Sequence, residues 1–258
     1  MRDRLRAIAE ETMAVIERGD FGEQIRRAVD GTRLYLPDEA LPTPSTADAP
    51  ARVEVTGETT LAAARRLGGD VAALNFASAR SPGGGFLKGA QAQEESLARS
   101  SALYPCQRAA GEFYAYHRAH PELLYTDRII YSPAVPVFRD DNDQLLDFPY
   151  AVTFLTAAAP NRAALAREQP ALLPQVPAVL ERRAARILAV AAAHGHRRLV
   201  LGAWGCGVFG NDPALVADVF ARALRAAPWF DEVVFAVLDR GDAPIRGAFS
   251  RAFAGPRT

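Results

Sequence analysis

Lysine is nearly missing from this chain: among its 30 basic residues Lys88 is the one lysine, and every other is arginine. With the heavy alanine usage this reads as a coding bias, not as an arginine-rich binding patch. A surplus of either charge is missing too, since 30 bases face 30 acids. Without a basic excess no direct nucleic-acid partner is expected. Cysteine is scarce. Cys106 and Cys206 lie far apart, neither sits in a Cys-x-x-Cys pair, and His117, His120, His194 and His196 do not flank them at finger spacing. No metal site is expected from such a set. No apolar run approaches the length that spans a bilayer. Met1-Arg-Asp-Arg-Leu-Arg is not followed by the apolar region of a signal peptide. These absences predict a cytoplasmic protein with no membrane partner.

What is present is ample apolar material, 49% of 258 residues, enough for one large α/β domain or two small ones. Residues 1–30 carry Leu5, Ile8, Ala9, Met13, Val15 and Ile16 near helical spacing, with Gly19-Asp20 as an interruption and Ile25, Ala28 and Val29 continuing. Leu34-Tyr35-Leu36 reads as a short strand and 37–50 as an irregular connector. From Arg52 the rhythm is regular. Strands are expected at 53–56, 71–76, 128–138, 150–156, 199–201 and 232–238. Helices are expected at 61–67, from the first glycine loop to about Leu103 with a break at Tyr104-Pro105, at 113–117, 178–194 and 213–226, and over about Ala243 to Phe253. Prolines in the 128–138 run predict an edge position or a bulge. Strand–helix alternation predicts an α/β sheet covered on both faces. The division expected is 1–50 as helical extension and connector, then 51–258 as one α/β/α domain.

Two loops carry the chemistry. The first is Ser81-Pro82-Gly83-Gly84-Gly85-Phe86-Leu87-Lys88-Gly89, between the 71–76 strand and a helix opened by Gln93-Glu94-Glu95. Three glycines let backbone approach a ligand, and amides freed in such a loop commonly cradle anions. Paired carboxylates just beyond it suggest acid/base work on a phosphate-bearing substrate. Taken singly each fragment has a plain reading: a loop, a helix-dipole complement, or a Glu95–Arg99 surface ion pair. The second loop is Gly202-Ala-Trp-Gly-Cys-Gly-Val-Phe-Gly-Asn211, again between a buried strand and a helix. Gly205 and Gly207 would admit a diphosphate, favoured by the helix N-terminus that follows. Otherwise Trp204 and Phe209 would be core fillers. Cys206 has no histidine beside it and reads as a small loop residue, not a nucleophile. Lys88 reads as a solvent-facing loop tip.

The composite is specific. A glycine triplet at 83–85, a seven-residue spacer and Gln93-Glu94-Glu95 resembles the signature of poly(ADP-ribose) glycohydrolases. Leu74-Asn-Phe-Ala77 and Ser96-Leu-Ala-Arg-Ser-Ser101 look like the bacterial branch. That resemblance implies a three-layer, mixed-sheet macrodomain fold with an N-terminal helical extension. It implies hydrolysis of the ribose–ribose O-glycosidic bond of poly(ADP-ribose), releasing ADP-ribose, with no cofactor. By resemblance Glu95 protonates the leaving 2′-oxygen and then activates water, while Glu94 and Gln93 place the ribose. By the same resemblance Gly83, Gly84, Gly85, Gly205, Cys206, Gly207, Val208 and Phe209 contact substrate, Phe209 lying against the terminal ribose. Serving as acid near neutral pH requires a raised pKa at Glu95, and pocket desolvation plus the Glu94 neighbour are expected to supply it. ADP-ribosylated proteins are the implied partners, the DNA damage response the implied setting and a monomer the implied state. The rivals are a macrodomain that binds ADP-ribose without cleaving it and a hydrolase of single ADP-ribose units. A nucleotide-binding Rossmann sheet fits worst, since neither loop reads Gly-x-Gly-x-x-Gly with a later acid.

Overall fold

The computed structural model describes residues 1–239 and 244–254. In chain order, helices α1 (Arg2–Arg18) and α2 (Gly22–Asp30) precede strands β1 (Arg33–Tyr35) and β2 (Arg52–Thr56). Helix α3 (Thr60–Leu67) and strand β3 (Val71–Phe76) lead through the first glycine loop to α4 (Gln93–Ser100), α5 (Leu103–Ala109) and α6 (Gly111–Ala119). Strands β4 (Ile129–Arg139) and β5 (Leu145–Ala157) follow, then helices α7 (Arg162–Glu168) and α8 (Val176–Ala193). Strand β6 (Arg198–Leu201), helix α9 (Pro213–Ala226), strand β7 (Glu232–Ala236) and helix α10 (Pro244–Phe253) complete the order. No helix among the described residues is long and apolar enough to cross a membrane.

Backbone contacts divide the chain into two compact units. The first comprises 1–37, 75–121 and 128–158; the second comprises 38–74, 122–127 and 159 onward. In the first unit β1, β4 and β5 pair antiparallel in that order. Pro133 is tolerated in β4 because its register slips between Ser132 and Val135, where Ala134 takes φ 45°, whereas Pro136 pairs in register with Ala151. In the second unit β3, β6, β7 and β2 pair parallel in that order. Parallel strands covered on both faces read as continuous apolar runs, and Val71–Leu74, Leu199–Leu201 and Val233–Phe235 are all buried. Antiparallel and parallel pairing together make the mixed α/β architecture expected.

Most element edges follow local chemistry. Gly19 closes α1 in the left-handed conformation, φ 76°, as a C-terminal glycine does. Thr59 caps α3 by accepting from the Ala62 amide. The expected break at Tyr104-Pro105 is wrong. The helix stops at Ser101, which bridges to Val137 on β4, and Pro105 lies inside α5 in its first turn. There a missing N–H costs no helical hydrogen bond. Helix α7 was not expected, and β5 begins five residues before Tyr150. The start expected for the last helix, Ala243, lies outside the described residues, as do residues 255–258 of the expected second domain.

Candidate active site

The first loop and the carboxylates after it lie in the first unit. Helix α4 starts at Gln93, so Gln93, Glu94 and Glu95 occupy one turn and fan out by about 100° each. Each accepts from a different backbone amide of the β3–loop segment. Gln93 Oε1 takes the N–H of Phe76 at 2.9 Å, Glu94 Oε2 that of Ser78 at 2.6 Å, and Glu95 Oε1 that of Gly85 at 2.9 Å. Three adjacent side chains thus stitch the helix start to the end of β3 and to the glycine loop.

The glycines are needed for this closeness. Gly84 has φ 56°, and a Cβ there would overlap Glu95 Oε1 and lie 3.0 Å from its Cδ and 3.1 Å from Glu94 Oε2. Gly83 has φ 62°, and its Cβ would lie 2.7 Å from the Phe86 ring. The three triplet amides are already spent: Gly83 donates to Gln107 Oε1 at 2.8 Å, Gly84 to the Ser81 carbonyl at 3.0 Å, and Gly85 to Glu95. The amide cradle expected from this triplet is therefore not formed by these three groups. Their visible work is to wrap two carboxyl groups.

The two glutamates differ. Glu94 is 3% exposed and holds three donors: Ser78 N–H, Gln107 Nε2 at 2.8 Å and Asn75 Nδ2 at 3.2 Å. Burial outweighs those donors and pushes the Glu94 pKa up to about 8, with the nearby Glu95 charge adding to the rise. At neutral pH Glu94 is mostly the neutral acid. Glu95 anchors only one oxygen; its Oε2 has no hydrogen-bond partner among the described residues and is not among the buried unpaired atoms.

Several members of the cluster were not expected from sequence. Asn75 reaches both Glu94 and Thr156 Oγ1, and its one signal was an amide side chain in the apolar run 71–76. Gln107 ties Glu94 to Gly83, and nothing local marked it. Arg99 is not a surface partner of Glu95. It is 3% exposed, and its guanidinium takes the Ala90 carbonyl at 2.7 Å and Ser96 Oγ at 3.3 Å, bracing the loop. Helix α1 braces it as well: Thr12 Oγ1 donates to the Arg99 carbonyl, and Arg2 Nε donates to the Lys88 carbonyl at 2.9 Å. Lys88 itself is exposed in a 3-10 turn, Phe86–Lys88.

The second loop lies in the second unit. Trp204 is fully buried and meets Phe220 at 6.1 Å, so it is core. Phe209 is only half-buried and Val208 is 86% exposed. Gly205 is required by packing, since with φ 73° a Cβ would lie 2.5 Å from Ala159 Cβ and 2.6 Å from Asn211 Nδ2. Gly207 faces open space. The amides of Gly207, Val208 and Phe209 have no acceptor among the described residues, so three consecutive donors stand at the loop tip. The expected contribution of the following helix is altered, because Asp212 caps α9 with its own carboxylate on the Ala214 amide at 2.9 Å. Cys206 donates weakly to the Trp204 carbonyl, and burial pushes its thiol up to about 12, which leaves it a poor nucleophile.

A family model described as microbial-type PARG, catalytic domain, matches residues 3–140. Among solved structures, poly(ADP-ribose) glycohydrolase (PARG) from Thermomonospora curvata is 53% identical with a TM-score of 0.90, covering 98% of this chain and 100% of that one. The same enzyme bound to the inhibitor ADP-HPD is 52% identical with a TM-score of 0.88, covering 98% and 100%. The Deinococcus radiodurans enzyme in complex with ADP-ribose is 48% identical with a TM-score of 0.83, covering 88% of this chain and 96% of that one. A search of curated proteins found no match.

Proposed function

This chain belongs to the microbial-type poly(ADP-ribose) glycohydrolase family, and from that premise we infer a mechanism in which Glu95 is the catalytic acid and base and Glu94 its neutral neighbour. The protein is a macrodomain-type hydrolase that cleaves ribose–ribose O-glycosidic bonds of poly(ADP-ribose) and releases ADP-ribose. Cleavage of such a bond passes through an oxocarbenium-like transition state, which needs a proton for the leaving oxygen and an activated water.

The observation that carries the assignment is the asymmetry of the carboxyl pair. Glu95 has one oxygen anchored on the Gly85 amide and the other without a partner among the described residues. An anchored carboxyl with one uncommitted oxygen can hand a proton to the leaving 2′-oxygen, then take one from water, without leaving its place. Glu94 is saturated with three donors and held neutral by burial. Its hydroxyl can donate to a ribose hydroxyl, and Gln93 keeps the helix start on β3. For the diphosphate we propose the amides at 207–209, which have no acceptor among the described residues, with Gly205 and Cys206 shaping the turn and Val208 and Phe209 facing the ligand. Gly83, Gly84 and Gly85 contact substrate through atoms other than their spent amides. The diphosphate, once bound, stabilises the positive charge that develops on the ribose.

The expectation of action on ADP-ribosylated proteins, as a monomer and within the DNA damage response, rests on the family resemblance. A macrodomain that binds ADP-ribose without cleaving it has no use for an acid with one oxygen left open beside a neutral one. Glu95→Gln should keep ADP-ribose affinity and lose turnover of poly(ADP-ribose) by at least about a hundredfold, the lower range for general acid/base residues. Wild-type-like turnover by that variant would remove Glu95 from the chemistry. Running mono(ADP-ribosyl)ated protein beside the polymer separates glycohydrolase action from removal of single units.

A further inference from the structure

Residues 122–127 form a short segment of the second unit that is held far more firmly than its length requires. The Leu123 amide donates to Gln169 Oε1 at 2.9 Å, and its carbonyl accepts from the Asn161 amide at 2.9 Å. The Leu124 carbonyl accepts from Arg183 Nη2 at 3.1 Å. Asp127 accepts from Arg183 Nε at 2.9 Å and from Arg182. Arg183 is completely buried and Asp127 is 7% exposed. A buried ion pair is a costly way to gain stability, since both charges leave water; apolar residues would serve a purely structural purpose as well. What this pair does is pin the Leu124 carbonyl on one side and the Asp127 side chain on the other of a two-residue stretch, Tyr125-Thr126.

Tyr125 has φ 55°, the left-handed region that a bulky side chain rarely adopts. Non-glycine residues held there persist only where the surroundings enforce them, and they cluster at functional sites. The enforced turn, closed by the Tyr125 amide on the Glu122 carbonyl at 3.2 Å, aims the tyrosine ring at Phe209. Ring centroids are 6.1 Å apart with planes tilted by 44°. Phe209 needs such a neighbour: it is half-buried between Gly207, which faces open space, and Gly210, whose φ is 67°. Among the described residues its own backbone is tied only through its carbonyl, which accepts from the Ala163 amide at 2.9 Å.

We propose that Tyr125 is a positioning residue that sets the Phe209 ring, with the buried Arg183–Asp127 pair holding the strained turn that presents it. The proposal rests on the reading that Phe209 lies against the ribose. A ring free to swing would leave the ribose bound but seldom in its reactive pose, so the loss falls on kcat more than on KM. Tyrosine at 125 acts through Phe209 and touches no reacting atom.

The test uses four variants of the full chain, assayed for kcat and KM on poly(ADP-ribose) and for melting temperature. Tyr125→Gly accepts φ 55° without strain, so it removes the ring without endangering the turn. It should lower kcat about tenfold or more with KM little changed. Tyr125→Phe keeps the ring and should restore wild-type kcat. Phe209→Ala should be impaired with near-normal melting, and adding Tyr125→Gly to it should cost nothing further, since the two act as one unit. Wild-type kcat in Tyr125→Gly, or losses that multiply in the double variant, overturns the positioning role while leaving the Phe209 reading intact. Wild-type turnover in Phe209→Ala overturns that reading and the inference together.

Discussion

Replacing Glu94 by glutamine probes the buried carboxyl directly through its effect on stability against pH. In the unfolded chain a glutamate titrates near its ordinary value of 4.5, whereas in the fold Glu94 is pushed up to about 8. The folded protein therefore keeps a proton that the unfolded chain has lost across that interval. Stability must fall as pH rises wherever the folded state binds more protons. The fall amounts to about 1.4 kcal/mol per pH unit for one group. Over the interval of about 3.5 pH units between those values the total is of order 5 kcal/mol. Glu94→Gln has no proton to keep. Its stability relative to wild type should climb steadily from pH 5 to pH 8 and level off beyond. The absolute offset depends on hydrogen bonds: an amide N–H₂ must face the Ser78 amide or the Asn75 and Gln107 donors, all of which now point at an acceptor. The slope is independent of that offset, so it is the quantity to measure. Urea unfolding of both proteins at pH 5, 6, 7 and 8, with unchanged m-values, yields it. A flat difference across that range would refute the claim that the fold holds Glu94 neutral.

Other consequences are testable alongside. Wild-type turnover should decline as pH climbs through about 8, because an ionised Glu94 no longer donates to the ribose; a profile level to pH 9.5 would count against that role. Gly84→Ala should lose turnover at least about tenfold, because the new methyl overlaps Glu95 Oε1, while unfolding free energy drops by only about 1–2 kcal/mol for a left-handed alanine. Unchanged kcat with a lowered melting temperature would mean the glycine serves the fold alone. Treatment with EDTA should leave turnover intact, since no group of three or more His, Cys, Asp or Glu suited to a metal occurs among the described residues. Activity lost to EDTA and restored by a divalent cation would contradict it.

Much of the fold was legible because it is written in short-range patterns. The strand Val71–Phe76, the interruption at Gly19 and the helix 213–226 each follow from a few neighbouring residues. Helix α7 and the early start of β5 were not, since Arg162–Glu168 carries a short, weak apolar pattern and Leu145–Pro149 is mostly exposed. Pro105 misled because proline is disfavoured within helices yet harmless in their first turn, and only the bridge from Ser101 to Val137 shows where the turn begins.

The sequence by itself determined that a glycine triplet, a spacer and Gln93-Glu94-Glu95 stand in this order between a strand and a helix, and that identified the chemistry. Such a motif is contiguous, so its spacing survives in one dimension. The division of labour between the two glutamates is a different kind of property. It depends on Asn75, Gln107 and Ser78 converging on one carboxyl from three separate elements, and on burial that pushes its pKa up. Tyr125, 84 positions from Phe209 in the chain, meets it only because a buried arginine and an aspartate hold a left-handed turn in place. Desolvation and convergence over long sequence separations are created by packing, so only the tertiary structure could decide them.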